Sequence, residues 1–190
     1  FAWLRTLLRG MEGPLERRVE YDAEQSLPGN FLATDACPFG FAGIKYVNFL
    51  SVAWYATPIR TPELRKFRAA RGDSAHTTTW EALALLVSLR LWPPERHEHI
   101  HVRSDSLSSL RALVHLSAKS PSLNVVAREY AIDAVHGDYK LDLAVHIPGV
   151  TNTVADALSR QWAPEPKRFP EELVGIPEVK MPPLDHTFWK

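Results

Sequence analysis

The chain has 190 residues, of which 45% are hydrophobic and 23% are charged, as is ordinary for a soluble globular protein. Its 22 basic and 22 acidic residues cancel, so any nucleic-acid binding must come from local patches and not from bulk charge. The single cysteine, Cys37, excludes an internal disulfide, and no apolar run approaches the roughly 20 residues of a membrane helix. We therefore expect an intracellular protein, cytoplasmic or nuclear, that is not secreted and has no membrane partner.

The first half of the chain predicts a connector followed by three strands. Residues 1–27 contain an amphipathic helical stretch, WLRTLLRGM, and a polar, acidic connector. The strand-like runs NFLATDAC, GFAGIKYVNF and LSVAWYAT follow with short turns between them, which indicates an antiparallel meander. Residues 58–76 are polar and basic, with five arginines and lysines against two acids, a local excess of 5 − 2 = +3.

In the second half, helices alternate with strands. The predicted elements are the helix TTTWEALALLVSLRLW, the strand HIHVRSD, the helices SLSSLRALVHLSA and SLNVVAREYAIDAV, the strand LDLAVHI and a helix after Asn152. Strands joined by helices pair in parallel, so residues 28–162 are expected to form an α/β domain. Its sheet would be mixed and five-stranded, with flanking helices. Six prolines after Gln161 predict that residues 163–190 form an extended tail, either a linker or a segment wrapping the domain.

Four carboxylates lie at predicted strand and helix ends: Asp35, Glu81, Asp105 and Asp156. Each has a structural alternative as a turn residue, a helix cap or a favourable charge at a helix N-terminus. Together they would repel one another at the centre of such a sheet, and divalent cations would relieve that repulsion. Hard oxygen ligands favour Mg²⁺ or Mn²⁺, and two such ions support in-line attack of water on a phosphodiester.

The segments around these acids resemble the ribonuclease H family, in particular the RNase H domain of retrotransposon (LTR-like or DIRS-like) reverse transcriptases. They are TDACPFGFAGI, TTTWEALAL, VRSDSLSSL and HIPGVTNTVADALSR, in the family's order. The resemblance covers residues 28–162 and implies an RNase H-like fold. Residues 1–27 resemble the segment that joins the polymerase to RNase H in such elements.

The resemblance implies a site for two Mg²⁺ ions, with Mn²⁺ as a substitute. Asp35 would bridge both metals, Glu81 and Asp105 would complete the site of one, and Asp156 would hold the other. His146 lies ten residues before Asp156. It matches the family's mobile histidine, which assists proton transfer or product release, although a histidine beside a strand end is often only a surface or core residue.

The resemblance also implies a substrate-binding set: Ala36, Cys37, Gly40, Thr77, Thr78, Ser106 and Asn152. Asn152 has an alternative role as the N-cap of the last helix. Thr77 and Thr78 stand where many family members carry asparagine, and Leu107 stands where they carry glutamine. No separate basic substrate-binding helix is evident. Residues 58–76 would either contact phosphates in its place or form a solvated surface loop.

The resemblance implies an endoribonuclease that hydrolyses the RNA strand of RNA/DNA hybrids and leaves a 3′-hydroxyl and a 5′-phosphate. Its partners would be the hybrid and a reverse transcriptase polymerase domain in the same polyprotein, with a virus-like particle as one intracellular setting. Two alternatives stay open. One is a nuclease of the same fold that acts on DNA, and the other is a non-catalytic module that supports a polymerase.

Overall fold

Five strands, five α-helices and four short 3₁₀ helices form the regular structure of the described residues. The computed structural model describes residues 29–93, 99–137 and 140–190, so the predicted connector at 1–27 lies outside them. The strands are β1 (Phe31–Cys37), β2 (Gly40–Val47), β3 (Leu50–Pro58), β4 (His99–Ser104) and β5 (Lys140–His146). The helices are α1 (Thr61–Phe67), α2 (Thr77–Leu91), α3 (Leu107–Val114), α4 (Pro121–Gly137) and α5 (Thr153–Ser159). None of these helices is long and apolar enough to cross a membrane.

The strands form one mixed sheet in the order β3-β2-β1-β4-β5. β1, β2 and β3 pair antiparallel, whereas β4 runs parallel to β1 and β5 runs parallel to β4. The predicted α/β class, with a mixed sheet flanked by helices, is confirmed. Because parallel neighbours direct their carboxyl ends to the same edge, the end of β1 meets the end of β4. Asp35 and Asp105 lie at these two ends.

Helix α2 is enclosed by the rest of the fold. Every residue from 79 to 89 is buried, as expected for a helix that is apolar around most of its circumference. It packs against β1 and β2 on one side and against α3 and α4 on the other. Gly43 of β2 permits this approach, since a Cβ there would lie 2.3 Å from the Ser88 Oγ. The enclosure brings Glu81, near the start of α2, into the protein interior.

The two faces of the sheet carry separate hydrophobic clusters. The larger cluster lies on the face covered by α2, α3 and α4, and includes Phe41, Tyr55, Trp80, Leu86, Val102, Leu113, Val126 and Tyr130. The smaller one lies under α5 and comprises Ala42, Ile44, Trp54, Ala155, Leu158 and Leu173. Asp35 pairs in register with Ala42, so its side chain belongs to the face covered by α5.

The proline-rich residues 163–190 pack against both faces of the domain. Leu173 is buried in the cluster under α5, whereas Leu184 and Phe188 are buried in the larger cluster. Between them the chain runs beside β3, where the Val179 N–H donates to the Trp54 carbonyl (2.7 Å). The tail therefore contacts both sheet faces and the edge strand β3.

The basic segment 58–76 contains a helix, α1, that the sequence analysis did not predict. Pro62 occupies its first turn, and the Glu63 carboxylate accepts a hydrogen bond from the Arg60 N–H at 2.8 Å. Only Glu63 and Phe67 are buried in its seven residues. Two buried positions in seven residues are too few to reveal helical periodicity in the sequence. Recognition of that periodicity needs a window of about 11 residues or more.

Candidate metal centre

Three of the four predicted carboxylates converge at the edge where β1 and β4 end. Asp35, Glu81 and Asp105 each offer one oxygen, and these oxygens all lie within 4.8 Å of one another. Asp35 comes from β1, Glu81 from α2, and Asp105 directly follows β4. The parallel pairing of β1 with β4 and the enclosure of α2 therefore assemble the cluster from three separate parts of the chain.

The Asp35 side chain is held by Ser159 of α5 and by Asn152, the residue just before α5. Its side chain is almost fully buried, with 3% of the residue exposed. The Ser159 hydroxyl donates to its Oδ2 at 2.5 Å, and the Asn152 amide lies 3.5 Å from its Oδ1. The same amide donates to the Thr34 carbonyl at 3.0 Å. These contacts leave the Asp35 carboxylate little freedom to turn away from the cluster.

Two buried oxygens of the cluster have no hydrogen-bond partner in the described structure. They are the Oε2 of Glu81 and the Oδ1 of Asp105. A buried carboxylate oxygen without a donor costs free energy, and such oxygens are rare unless an ion or water satisfies them. Oxygen donors of this type suit a hard divalent cation. The donor set of Asp35, Glu81 and Asp105 therefore fits a metal ion, which this buried triad could hold.

The same crowding raises the affinity of the cluster for protons. Burial raises the pKa of Asp35 to about 7, and repulsion from Asp105 and Asp156 adds to it, against the hydrogen bond from Ser159. Burial also raises the pKa of Glu81 well above its ordinary value, with further increases from the neighbouring aspartates. A cation would compete with these protons, so its binding should strengthen as the pH rises.

Asp156 lies beside the cluster but outside the group of converging oxygens. Its Oδ1 accepts a hydrogen bond from the Arg160 guanidinium at 2.5 Å, and its Oδ2 contacts the Lys167 ammonium. Burial acts to raise the pKa of Asp156, but the bonds from Lys167 and Arg160 outweigh it and lower the pKa. The carboxylate is thus ionised and paired with two cations of its own chain.

The loop after β5 passes over Asp105. The His146 imidazole is exposed, and its Nε2 lies 3.0 Å from the Asp105 carbonyl oxygen. A Cβ added to Gly149 would lie 3.0 Å from the Asp105 Oδ2, so a larger residue there would press on the carboxylate. His146 therefore stands at the solvent side of the cluster, next to the least buried of its three acids.

The residues predicted to bind substrate divide into buried and exposed groups. Ala36, Cys37, Gly40 and Asn152 are buried. The Cys37 thiol donates to the Ser159 carbonyl at 3.2 Å, and the backbone of Ala36 hydrogen bonds to Glu81.

Thr77, Thr78 and Ser106 are partly exposed. Thr77 donates to the Ser74 carbonyl at 2.9 Å, and Ser106 caps α3. The partly exposed group is therefore the one that can reach a ligand from solution.

Three residues that contact the predicted acids were missed by the sequence analysis. Ser159 lies three residues after Asp156, so both residues lie on one side of α5. That spacing could have indicated that Ser159 belongs to the site. Arg160 follows four residues after Asp156, the usual spacing of a helical ion pair. No sequence spacing points to Lys167, because it belongs to the tail and only the tertiary structure brings it to Asp156.

No protein-family model matches this chain, and no curated protein matches it at a significant level. The resemblance to the ribonuclease H family accordingly depends on the motif residues alone.

Proposed function

We propose that this chain is an RNase H-like domain that hydrolyses the RNA strand of RNA/DNA hybrids. The observation that carries the proposal is the convergence of Asp35, Glu81 and Asp105, with an unpartnered buried oxygen on Glu81 and another on Asp105. The acids come from a central strand, a helix packed on the sheet and the end of the adjacent parallel strand. The proposal is supported by the order of the acid-bearing motifs along the chain and by the strand or helix that carries each one, which agree with the family that the motifs resemble.

In the proposed site, Asp35, Glu81 and Asp105 hold a divalent cation, with Mg²⁺ as the expected ion and Mn²⁺ as its substitute. The bound cations would activate water and stabilise charge on the scissile phosphate. Ser159 and Asn152 orient the Asp35 carboxylate. Burial of Asp35 and Glu81 excludes water from the ligand side, so attraction between these acids and a cation is only weakly screened.

Asp156 is the proposed ligand of the second ion, and its present partners define a condition for that role. Lys167 and Arg160 each contact one of its oxygens, so their positive charges compete with a second cation for this carboxylate. Both side chains are about half exposed and can move towards a substrate phosphate. The proposed role of His146, which is exposed beside Asp105, is to assist proton transfer or product release.

Selection of the RNA strand would depend on its 2′-hydroxyl groups, which DNA lacks. Thr77, Thr78 and Ser106 are partly exposed hydroxyl-bearing residues at the starts of α2 and α3, close in sequence to Glu81 and Asp105. The setting proposed for this activity is reverse transcription by a retroelement inside the cell, with a polymerase domain of the same polyprotein as partner.

The proposal is tested by cleavage of a labelled RNA/DNA hybrid with Mg²⁺ or Mn²⁺, beside duplex DNA and duplex RNA. Asp105→Asn should lower the cleavage rate by at least about 100-fold, because it removes a charged ligand of the cation. Glu178→Gln is the matched control, since this acid is exposed on the tail, and it should leave the rate unchanged.

The substrate that is cleaved distinguishes the proposed function from its two alternatives. Cleavage of duplex DNA in preference to the hybrid would assign a DNA nuclease of the same fold. A well-folded protein that binds the hybrid without cleaving it would favour a non-catalytic support module. Full activity of Asp105→Asn would overturn the metal-dependent assignment.

A further inference from the structure

The residue before helix α1, the helix itself and the loop after it carry a group of exposed positive charges. The group, named here the arginine surface, comprises Arg60, Arg65, Lys66, Arg68 and Arg71. All five residues are exposed. Within the described ranges, none of the four arginines forms an ion pair with a carboxylate, and Lys66 lies over the Trp189 ring at 4.0 Å.

The two acids of the same segment offset its positive charge only in part, since Glu63 lies within electrostatic reach of Arg60 alone among the arginines. The buried Glu63 directs its carboxylate at the Arg60 backbone N–H. Asp73 accepts from the Ala75 N–H at 2.9 Å and lies 3.6 Å from the His76 Nδ1. Arg65, Arg68 and Arg71 are exposed, and no carboxylate in the described part of the chain forms an ion pair with them.

Both ends of the segment are attached to the turn that follows the Asp35 strand. The Ile59 N–H donates to the Phe39 carbonyl at 2.9 Å, and the Gly72 N–H donates to the Pro38 carbonyl at 3.2 Å. This turn lies three residues beyond Asp35. The chain then enters α2, which carries Glu81. The arginine surface is therefore fixed at the same edge of the sheet as the candidate metal centre.

The segment is also anchored in the core, which distinguishes it from a solvated loop. Phe67 of α1 is buried, and its ring lies edge-on to Trp80 at 5.3 Å and to Trp189 at 5.7 Å. Ile59, just before α1, is fully buried. The charged side chains consequently project from a rigid base, which lowers the entropy lost when they bind a ligand.

We propose that the arginine surface binds the phosphates of the nucleic-acid duplex that flanks the cleavage site. This inference rests on the proposed function. A cluster of acids repels a polyanion, and the zero net charge of the chain provides no compensating attraction. Exposed arginines at the same edge supply that attraction locally, and guanidinium groups bind phosphates by paired hydrogen bonds. Such contacts hold the duplex without reading its sequence.

The test compares two triple variants in the Asp105→Asn background, which prevents cleavage during binding. The first is Arg65→Gln, Arg68→Gln and Arg71→Gln. The matched control is Arg111→Gln, Lys119→Gln and Lys180→Gln, which removes the same charge from exposed residues of other elements. Fluorescence anisotropy with a labelled RNA/DNA hybrid gives the Kd at several salt concentrations, and circular dichroism checks the fold.

The arginine triple should weaken binding on the order of tenfold or more, and the control should change it far less. Loss of three phosphate contacts should also reduce the slope of log K against log salt by about 2.7, at about 0.9 per contact. Arg65→Lys, Arg68→Lys and Arg71→Lys should retain most of that slope, which separates charge loss from misfolding.

Equal Kd values and slopes for the two triples would overturn this inference while leaving hybrid cleavage by the wild-type chain intact. Absence of both binding and cleavage by the wild type would overturn the proposed function as well. Tighter arginine-dependent binding to vesicles containing anionic lipid than to the hybrid would replace nucleic acid with a membrane surface as the ligand.

Discussion

At the scale of single residues, Asp35 is tightly constrained by its surroundings. It is buried on β1, receives a hydrogen bond from Ser159 and faces two other aspartates. Burial and repulsion prevail over that hydrogen bond and raise its pKa to about 7. A buried carboxyl that retains its proton near neutrality makes the stability of the cation-free protein depend on pH.

The expected dependence is a loss of stability as the pH rises from about 4 to about 7. In this window the unfolded chain has released the Asp35 proton, whose ordinary pKa is 3.8, whereas the folded protein still binds it. Stability falls wherever the folded state binds more protons than the unfolded state. Each pKa unit contributes about 1.4 kcal/mol, so the loss should amount to a few kcal/mol.

Urea unfolding with EDTA at about pH 5 and about pH 8 measures this difference, and added Mg²⁺ should restore stability at the higher pH. Asp35→Asn should flatten the dependence. Asp156, whose pKa is lowered, has the opposite sign: it stabilises above about pH 4 and loses that contribution at lower pH. Stability that increases between pH 5 and pH 7 without a cation would contradict the burial of a protonated Asp35.

At the scale of elements, the site depends on how α5 and the tail meet the end of β1. Ser159 and the preceding Asn152 fix Asp35, whereas Lys167 of the tail reaches back to Asp156 on the same helix. Helix α5 thus bears both the hydroxyl that orients Asp35 and the Asp156 carboxylate, which pairs with Arg160 and Lys167.

Removal of the tail cation should strengthen metal binding. Lys167→Met frees one oxygen of Asp156, so the Kd for Mn²⁺ should fall by roughly two- to fivefold, the scale of a partly exposed ion pair. Mn²⁺ titration followed by electron paramagnetic resonance measures this directly. Lys180→Met, which changes an exposed lysine elsewhere on the tail, is the control. An unchanged or higher Kd in Lys167→Met would show that this lysine does not compete with a cation.

At the scale of the whole molecule, the tail is part of the folded domain. Phe188 is buried in the larger cluster, and its carbonyl accepts a hydrogen bond from Arg90 of α2. The same guanidinium pairs with Glu129 and Asp133 of α4, and it lies 4.1 Å from the centre of the Phe188 ring. The end of the chain thereby connects two core helices.

Phe188→Ala should lower the free energy of unfolding by about 3 kcal/mol or more, because it opens a cavity in the core. Val174→Ala, at a tail residue that is 73% exposed, should change it by less than about 0.5 kcal/mol. Urea unfolding followed by circular dichroism compares the two variants. A tail that acted as a separable linker would leave the midpoint of Phe188→Ala the same as that of the wild type.

The sequence by itself determined the α/β class, the meander, most helices and the four motif acids at element ends. Hydrophobic periodicity, turn residues and prolines act over a few neighbouring residues, so their effects can be predicted without knowledge of the tertiary structure. Only the tertiary structure decided that Asp35, Glu81 and Asp105 share one cluster, that Lys167 holds Asp156, and that a short helix presents the arginines. These outcomes depend on contacts between residues far apart in the chain, whose geometry no local pattern encodes.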